Sequence, residues 1–95
     1  MSNYYVYAVR YNSNHSHIDV LRVSQGGGVS VDLRRQEVVS RIFNETDVFI
    51  TAIQRSDGQY YQGARVIIDP VGGNFYLKTV ADGIARDNLE QLPQF

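Results

Sequence analysis

The sequence predicts an α+β domain, with one helix packed on a largely antiparallel sheet in the order β-β-α-β-β-β and a C-terminal strap. Three observations carry this. Short β-prone runs with two-residue alternation recur between clusters of turn formers. One stretch, Asp32 to about Phe43, has apolar residues at helical spacing. The chain has 95 residues, among them twelve valines and seven isoleucines. That supports one sheet-dominated core, because a chain of this length buries only about 60–65% of its unfolded surface and cannot divide it in two. A single domain over 1–95 is expected.

Taking the elements in order, Tyr4 to Tyr11 reads as a strand whose two faces are Tyr5, Tyr7, Val9, Tyr11 and Tyr4, Val6, Ala8, Arg10. Both faces are largely apolar or aromatic, as in a central or covered strand. The polar cluster Asn12 to Ser16 turns the chain into a second strand, His17 to Ser24, and the pair forms a hairpin. Gly26, Gly27 and Gly28 break the pattern, and Ser30, Val31 and Asp32 resume with helix-start signals. A helix from Asp32 to Phe43 places Val31, Arg35, Val38 and Ile42 along one stripe, with Arg34 at its border. Leu33 falls on the far side, so it is either an entry residue packing before the first full turn or evidence that the helix starts later than Asp32.

Val48 to Ile53 is strongly β-prone on both faces and is the expected central strand. Ser56, Asp57 and Gly58 supply a turn. Ala64 to Asp69 alternates as a further strand that Pro70 ends, Gly72 to Asn74 turn the chain, and Phe75 to Val80 is the last strand. In the tail, Asp87 is placed to cap a short turn, with Glu90 three residues later as in a capping box, and Pro93 ends any helix. Leu89, Leu92 and Phe95 recur every third residue, which puts them on one side of a single turn. They form a strap that docks on the sheet of its own chain or on a neighbouring subunit, the former being preferred.

These tail residues resemble a bacterial and phage family known as domain of unknown function 3892. Its members end in a strand of Tyr, an apolar residue, Arg or Lys and Thr or Ser, then a turn, then Asp-Asn-Leu, two residues, Leu-Pro and a terminal apolar residue. The matching positions are Tyr76, Leu77, Lys78 and Thr79, then Asp82 and Gly83, then Asp87, Asn88 and Leu89, and finally Leu92, Pro93 and Phe95. Gly63, Ala64, Arg65 and Val66 resemble the family's Gly-Ala-x-Val strand. The resemblance covers roughly the last third of the chain closely and the upstream part loosely. It implies fold elements and brings no catalytic residues with it. Lys78 stands at a position where arginine is usual, so a bidentate carboxylate pairing there is lost or weakened.

Composition narrows the function. With no cysteine, the chain has neither a disulfide framework nor a thiolate metal site, which makes the reducing cytoplasm the expected location. Met1 to Arg10 lacks the features of a targeting signal, and no apolar run approaches the roughly 18 residues needed to cross a bilayer. A formal charge of −1 provides no overall basic field for a polyanion. His15, His17 and Asp19 would share one side of a strand, a two-histidine, one-carboxylate set, but a polar hairpin tip accounts for them as well. The triple glycine has neither the G-x-G-x-x-G spacing nor a P-loop lysine, so a hinge is the better reading than a phosphate cradle. No nucleophile and base stand at triad spacing. The expectation is therefore a non-enzyme without cofactor or metal.

Seven tyrosines and eight arginines, against one lysine, are the residue types that dominate interface hot spots. A small sheet cannot bury all seven tyrosines. The sequence is accordingly expected to encode a protein-binding module, with Tyr5, Tyr7, Arg10, Tyr11, Arg34, Arg35, Tyr60 and Tyr61 as candidate contact residues. A phage-type inhibitor or modulator of a bacterial protein complex is one concrete form of this. Homodimerisation through strand edges or an exchanged tail belongs to the same class. The alternative is an accessory domain that binds nucleic acid through an Arg/Tyr patch.

Overall fold

The structure is a computed structural model that describes residues 2–13, 17–26, 29–80, 83–84, 87–89 and 92–95. It is α+β, with the elements β1 (Ser2–Tyr11), β2 (Ile18–Ser24), β3 (Val31–Arg34), α1 (Arg35–Phe43), β4 (Asp47–Gln54), β5 (Tyr60–Arg65), β6 (Ile67–Val71) and β7 (Asn74–Lys78). Five strands form one sheet in the order β3-β2-β1-β4-β5, and β6 and β7 form a second. Only β1 and β4 run parallel, the connection between them passing through β2, β3 and α1; every other named strand pair is antiparallel.

Two irregularities in the β1–β2 ladder fix which residues face the core. Val6 pairs with Val23 and Ala8 with Arg22, so Tyr7 is an extra residue. It lets Val6 and Val9, three residues apart, both point inward and become fully buried. On β2, Arg10 pairs with Val20 and Tyr11 with Ile18, so Asp19 is the extra residue, and Ile18 and Leu21 are both fully buried. Strict alternation therefore misplaces Val9 and Tyr11, which leave the face of Tyr5 and Tyr7 for the core side.

The helix begins at Arg35, three residues later than expected. Val31 to Arg34 instead pair with β2, which turns Leu33 toward the core opposite the buried Leu21. The misfit of Leu33 on the helical stripe was the signal for this. Within α1 only Val38 is fully buried, while Val39 and Ile42 pack partly against the core and Phe43 is exposed. Arg41 ties the helix to the sheet by donating to the Tyr4 hydroxyl at 3.2 Å and to Asp47 at 3.3 Å. The expected central strand, Val48 to Ile53, is the interior strand β4; β1 holds the middle of the order. Phe49 is fully buried and stacks on Tyr4 with ring centroids 5.2 Å apart.

The expected strand Ala64 to Asp69 is divided between the two sheets. Val66 is the pivot: its side chain is buried and its N–H donates to the Phe49 carbonyl at 2.7 Å. Before it, β5 is longer than expected and starts at Tyr60. Between the Ala52–Gln62 and Ile50–Arg65 pairs it carries one extra residue. The Thr51 hydroxyl clasps this bulge, accepting from the Ala64 N–H at 2.9 Å. A Cβ at Gly63 would overlap that same hydroxyl oxygen, so the bulge requires glycine there. Pro70 does not end β6 but pairs with Phe75 inside it, as proline can where its missing N–H is not needed by the ladder.

The tail docks on its own chain. Val9 donates its N–H to the Pro93 carbonyl at 2.9 Å, and Phe95 donates to the Val9 carbonyl at 3.0 Å, so Gln94 lies beside Val9 as a one-residue parallel bridge. Leu89 and Leu92 are buried, and Phe95 is half-buried. The helix α1 packs against β2, β3, β4 and β6. Helix and second sheet thus cover the inner face of the five-stranded sheet, and among the described residues no layer of secondary structure lies over its outer face.

Candidate functional site

Asp87 separates structural groups from those available at the surface. Among the described residues Asp87 caps no turn of the tail, and Glu90, the other half of that expected capping box, lies outside them. Instead, the Asp87 carboxylate is fully buried and accepts from the Ile18 N–H at 2.7 Å, the Leu77 N–H at 2.8 Å and the Arg35 guanidinium at 2.8 and 3.0 Å. One carboxylate thereby joins β2, β7 and the first residue of α1. Four donors on two oxygens exhaust what a carboxylate can accept in such a setting. Arg35 also donates to the Phe75 carbonyl, and its bond to Asp87 raises its pKa above the ordinary guanidinium value. Arg35, a candidate contact residue by sequence, is therefore held within the fold. Tyr11 is too: it packs against the core and its hydroxyl accepts from the Leu89 N–H at 3.2 Å.

The other candidates distribute over the outer face and the edge beside it. Register places Tyr5 beside Ile50, and the next outward positions are Tyr7 on β1 and Ala52 on β4. Tyr60, opposite Gln54 on β5, joins them: the Tyr7 and Tyr60 rings meet edge to face at 4.9 Å and 88°. Such a pair contributes about 0.5–1.5 kcal/mol beyond burial and fixes the orientation of both rings. Tyr60 stays 54% exposed, enough to be reached by a partner. Tyr61 turns to the opposite side of β5, beside Ile53, and donates to Asp57. That bond holds the Asp57 carboxyl below, and the Tyr61 hydroxyl above, their ordinary pKa values.

Toward the other edge the outer face becomes cationic. The Arg10 guanidinium lies 4.7 Å from the Phe95 ring centroid and that of Arg22 lies 4.1 Å from it, so the tail's last aromatic is clamped between two arginines. Arg10 also donates to the Phe95 carbonyl at 3.1 Å. Arg22 pairs with Asp32 through two bonds of 2.9 and 3.3 Å, which lowers the Asp32 pKa. Arg34 pairs with Val20 in the ladder and is exposed, while Arg65, on β5 at the same edge as Tyr60, lies opposite Ile50 and is exposed. Arg22, Arg65, Ile50 and Phe95 belong to this face although sequence reasoning did not select them. Their common signal is ladder register, which depends on the bulges at Tyr7, at Asp19 and in β5.

Beside β2 and β3, an open cleft of about 710 Å³ is lined by residues that include His17, Asp19, Arg34, Arg35, Asn74 and Tyr76. The His17 ring lies 3.9 Å from the Asp19 carboxylate, and no cluster of three ligating side chains occurs among the described residues. His15, the other member of the two-histidine set, and Gly27 and Gly28 of the triple glycine lie outside the described residues. Among the described residues no helix is long and apolar enough to cross a membrane.

No curated protein and no solved structure matches the chain. A family described as Protein of unknown function (DUF3892) does match, over residues 5–93. The match extends from β1 through both sheets to the strap, well beyond the last third in which the sequence resemblance is close. The Lys78 that replaces the usual arginine keeps a carboxylate partner, Asp69, at 2.7 Å. The chain belongs to the DUF3892 family.

Proposed function

We propose that this chain is a non-enzymatic, cytoplasmic protein-binding module that recognises its partner through the outer face of the five-stranded sheet. The observation that carries this is the aromatic and aliphatic set Tyr5, Tyr7, Ile50 and Tyr60, gathered by ladder register on a face that neither the helix nor the second sheet covers. Tyrosines prefixed in one orientation lose little conformational entropy on binding, which favours them as anchors. A small inhibitor or modulator of a larger protein complex, including one borne by a phage, is the form of action that suits a single domain with such a face.

The test is capture from bacterial lysate with the tagged chain and with a Tyr7→Ala/Tyr60→Ala variant whose circular dichroism matches the parent. Removing two hot-spot tyrosines is expected to weaken the complex by at least about tenfold each. A protein retained by the parent and lost by the variant supports the proposal. Equal retention by both, or no protein above background with the parent, contradicts it.

A further inference from the structure

Resting on that reading of the outer face, we infer the chemistry of the partner: an acidic protein segment that carries apolar anchor residues. By register the face holds Arg10, Arg22, Arg34 and Arg65 against two carboxylates, Asp32 and the bulged Asp19 at its edge. The whole chain carries −1, so positive charge is concentrated here and the rest of the chain is net negative. Among the described residues Arg10, Arg34 and Arg65 have no carboxylate side-chain partner within ion-pair distance, unlike Arg22. Cations gathered beside an apolar patch favour a partner of opposite charge and reject a basic one.

The aromatic patch and the arginines are continuous along β1. Tyr5 and Tyr7 precede Arg10 on the same face, and Arg10 is held in place by Phe95. An acidic segment with interspersed apolar residues can fill the Tyr7–Tyr60 end while its carboxylates meet the guanidinium groups. Single-stranded nucleic acid fits less well. Base stacking needs open ring faces in a positive groove, whereas Tyr7 and Tyr60 are turned edge to face at 88°, and the chain as a whole is not basic.

The experiment titrates the labelled full chain, followed by NMR, with three probes: a short peptide of alternating Glu and Leu, its Lys and Leu counterpart, and a short oligothymidylate. The Glu–Leu peptide is expected to shift Tyr5, Tyr7, Ile50 and Tyr60 resonances, and the Lys–Leu peptide is not. Arg34→Gln/Arg65→Gln, which breaks no ion pair within the described residues, is expected to weaken Glu–Leu binding by about tenfold. Equal binding of both peptides, with sensitivity to Tyr7→Ala but not to the arginine changes, overturns the acidic partner and leaves the protein-binding reading standing. Tighter binding of the oligothymidylate at the same tyrosines overturns both in favour of nucleic acid. No shift with any probe also overturns the acidic partner, and lysate capture then decides the broader reading independently.

Discussion

Replacing Asp87 by Asn is expected to destabilise the fold by about 3–5 kcal/mol, the cost of leaving one member of a buried, hydrogen-bonded ion pair without its counter-charge. Asn has the right shape but one acceptor oxygen in place of two, and its amide N–H groups would face other donors. The Ile18 and Leu77 N–H groups and the Arg35 guanidinium all converge on this carboxylate, so at least one buried donor loses its acceptor. Against a total of roughly 5–15 kcal/mol for a domain, that loss is a large fraction. Urea denaturation checks it: the midpoint falls while the slope is unchanged. Adding Arg35→Met is not expected to rescue the variant, because the two backbone donors still need an acceptor. A change within about 1 kcal/mol of the parent would show that Asp87 does not anchor the three elements.

The second large effect is expected at Lys78, whose residue is 1% exposed. Its ammonium pairs with Asp69 at 2.7 Å and donates to the Ile84 carbonyl, while Asp69 also accepts from the Gly83 N–H at 3.0 Å. This pair joins β6, β7 and the segment after β7. Lys78→Met leaves the Asp69 carboxylate buried without its ammonium and is expected to cost about 3–5 kcal/mol. Here, unlike at Asp87, the opposing charge can be removed as well. Asp69→Asn/Lys78→Met is expected to recover much of the loss, since replacing a whole buried pair is often close to neutral. A double-mutant cycle in urea measures the coupling directly. If the double variant is as unstable as the sum of the two single ones, the pair is not coupled in the way its geometry indicates.

These two carboxylates mark the boundary of what sequence pattern conveys. The α+β class, the strands around Tyr4 to Tyr11 and Val48 to Ile53, and a strap burying Leu89 and Leu92 follow from local alternation and spacing, because burial acts on each segment's own periodicity. The role of Asp87 does not, since its donors lie 69, 10 and 52 residues away in the chain. An aspartate two residues before a leucine reads locally as a cap, and only the tertiary fold brings Ile18, Leu77 and Arg35 to it. Likewise, β3 competes with helix over Val31 to Arg34, and pairing with β2 decides for strand. The candidate face was partly legible. Tyr5, Tyr7, Arg10, Arg34 and Tyr60 came from residue type alone, whereas Arg22, Ile50, Arg65 and Phe95 needed the register. Tyr11 and Arg35 have the right chemistry for contacts but lie inward, one because of the bulge at Tyr7 and the other because of Asp87.

The central claim is that one face of the five-stranded sheet is closed by helix, hairpin and strap while the other stays open around Tyr7 and Tyr60. NMR with a soluble paramagnetic probe measures this residue by residue on the unmodified chain. The account predicts strong relaxation enhancement for the ring protons of Tyr5, Tyr7 and Tyr60, and weak enhancement for the side chains of Val6, Phe49, Leu89 and Leu92. Enhancement at Leu89 and Leu92 equal to that at Tyr60, or protection of Tyr7 and Tyr60 to the level of Phe49, would contradict it.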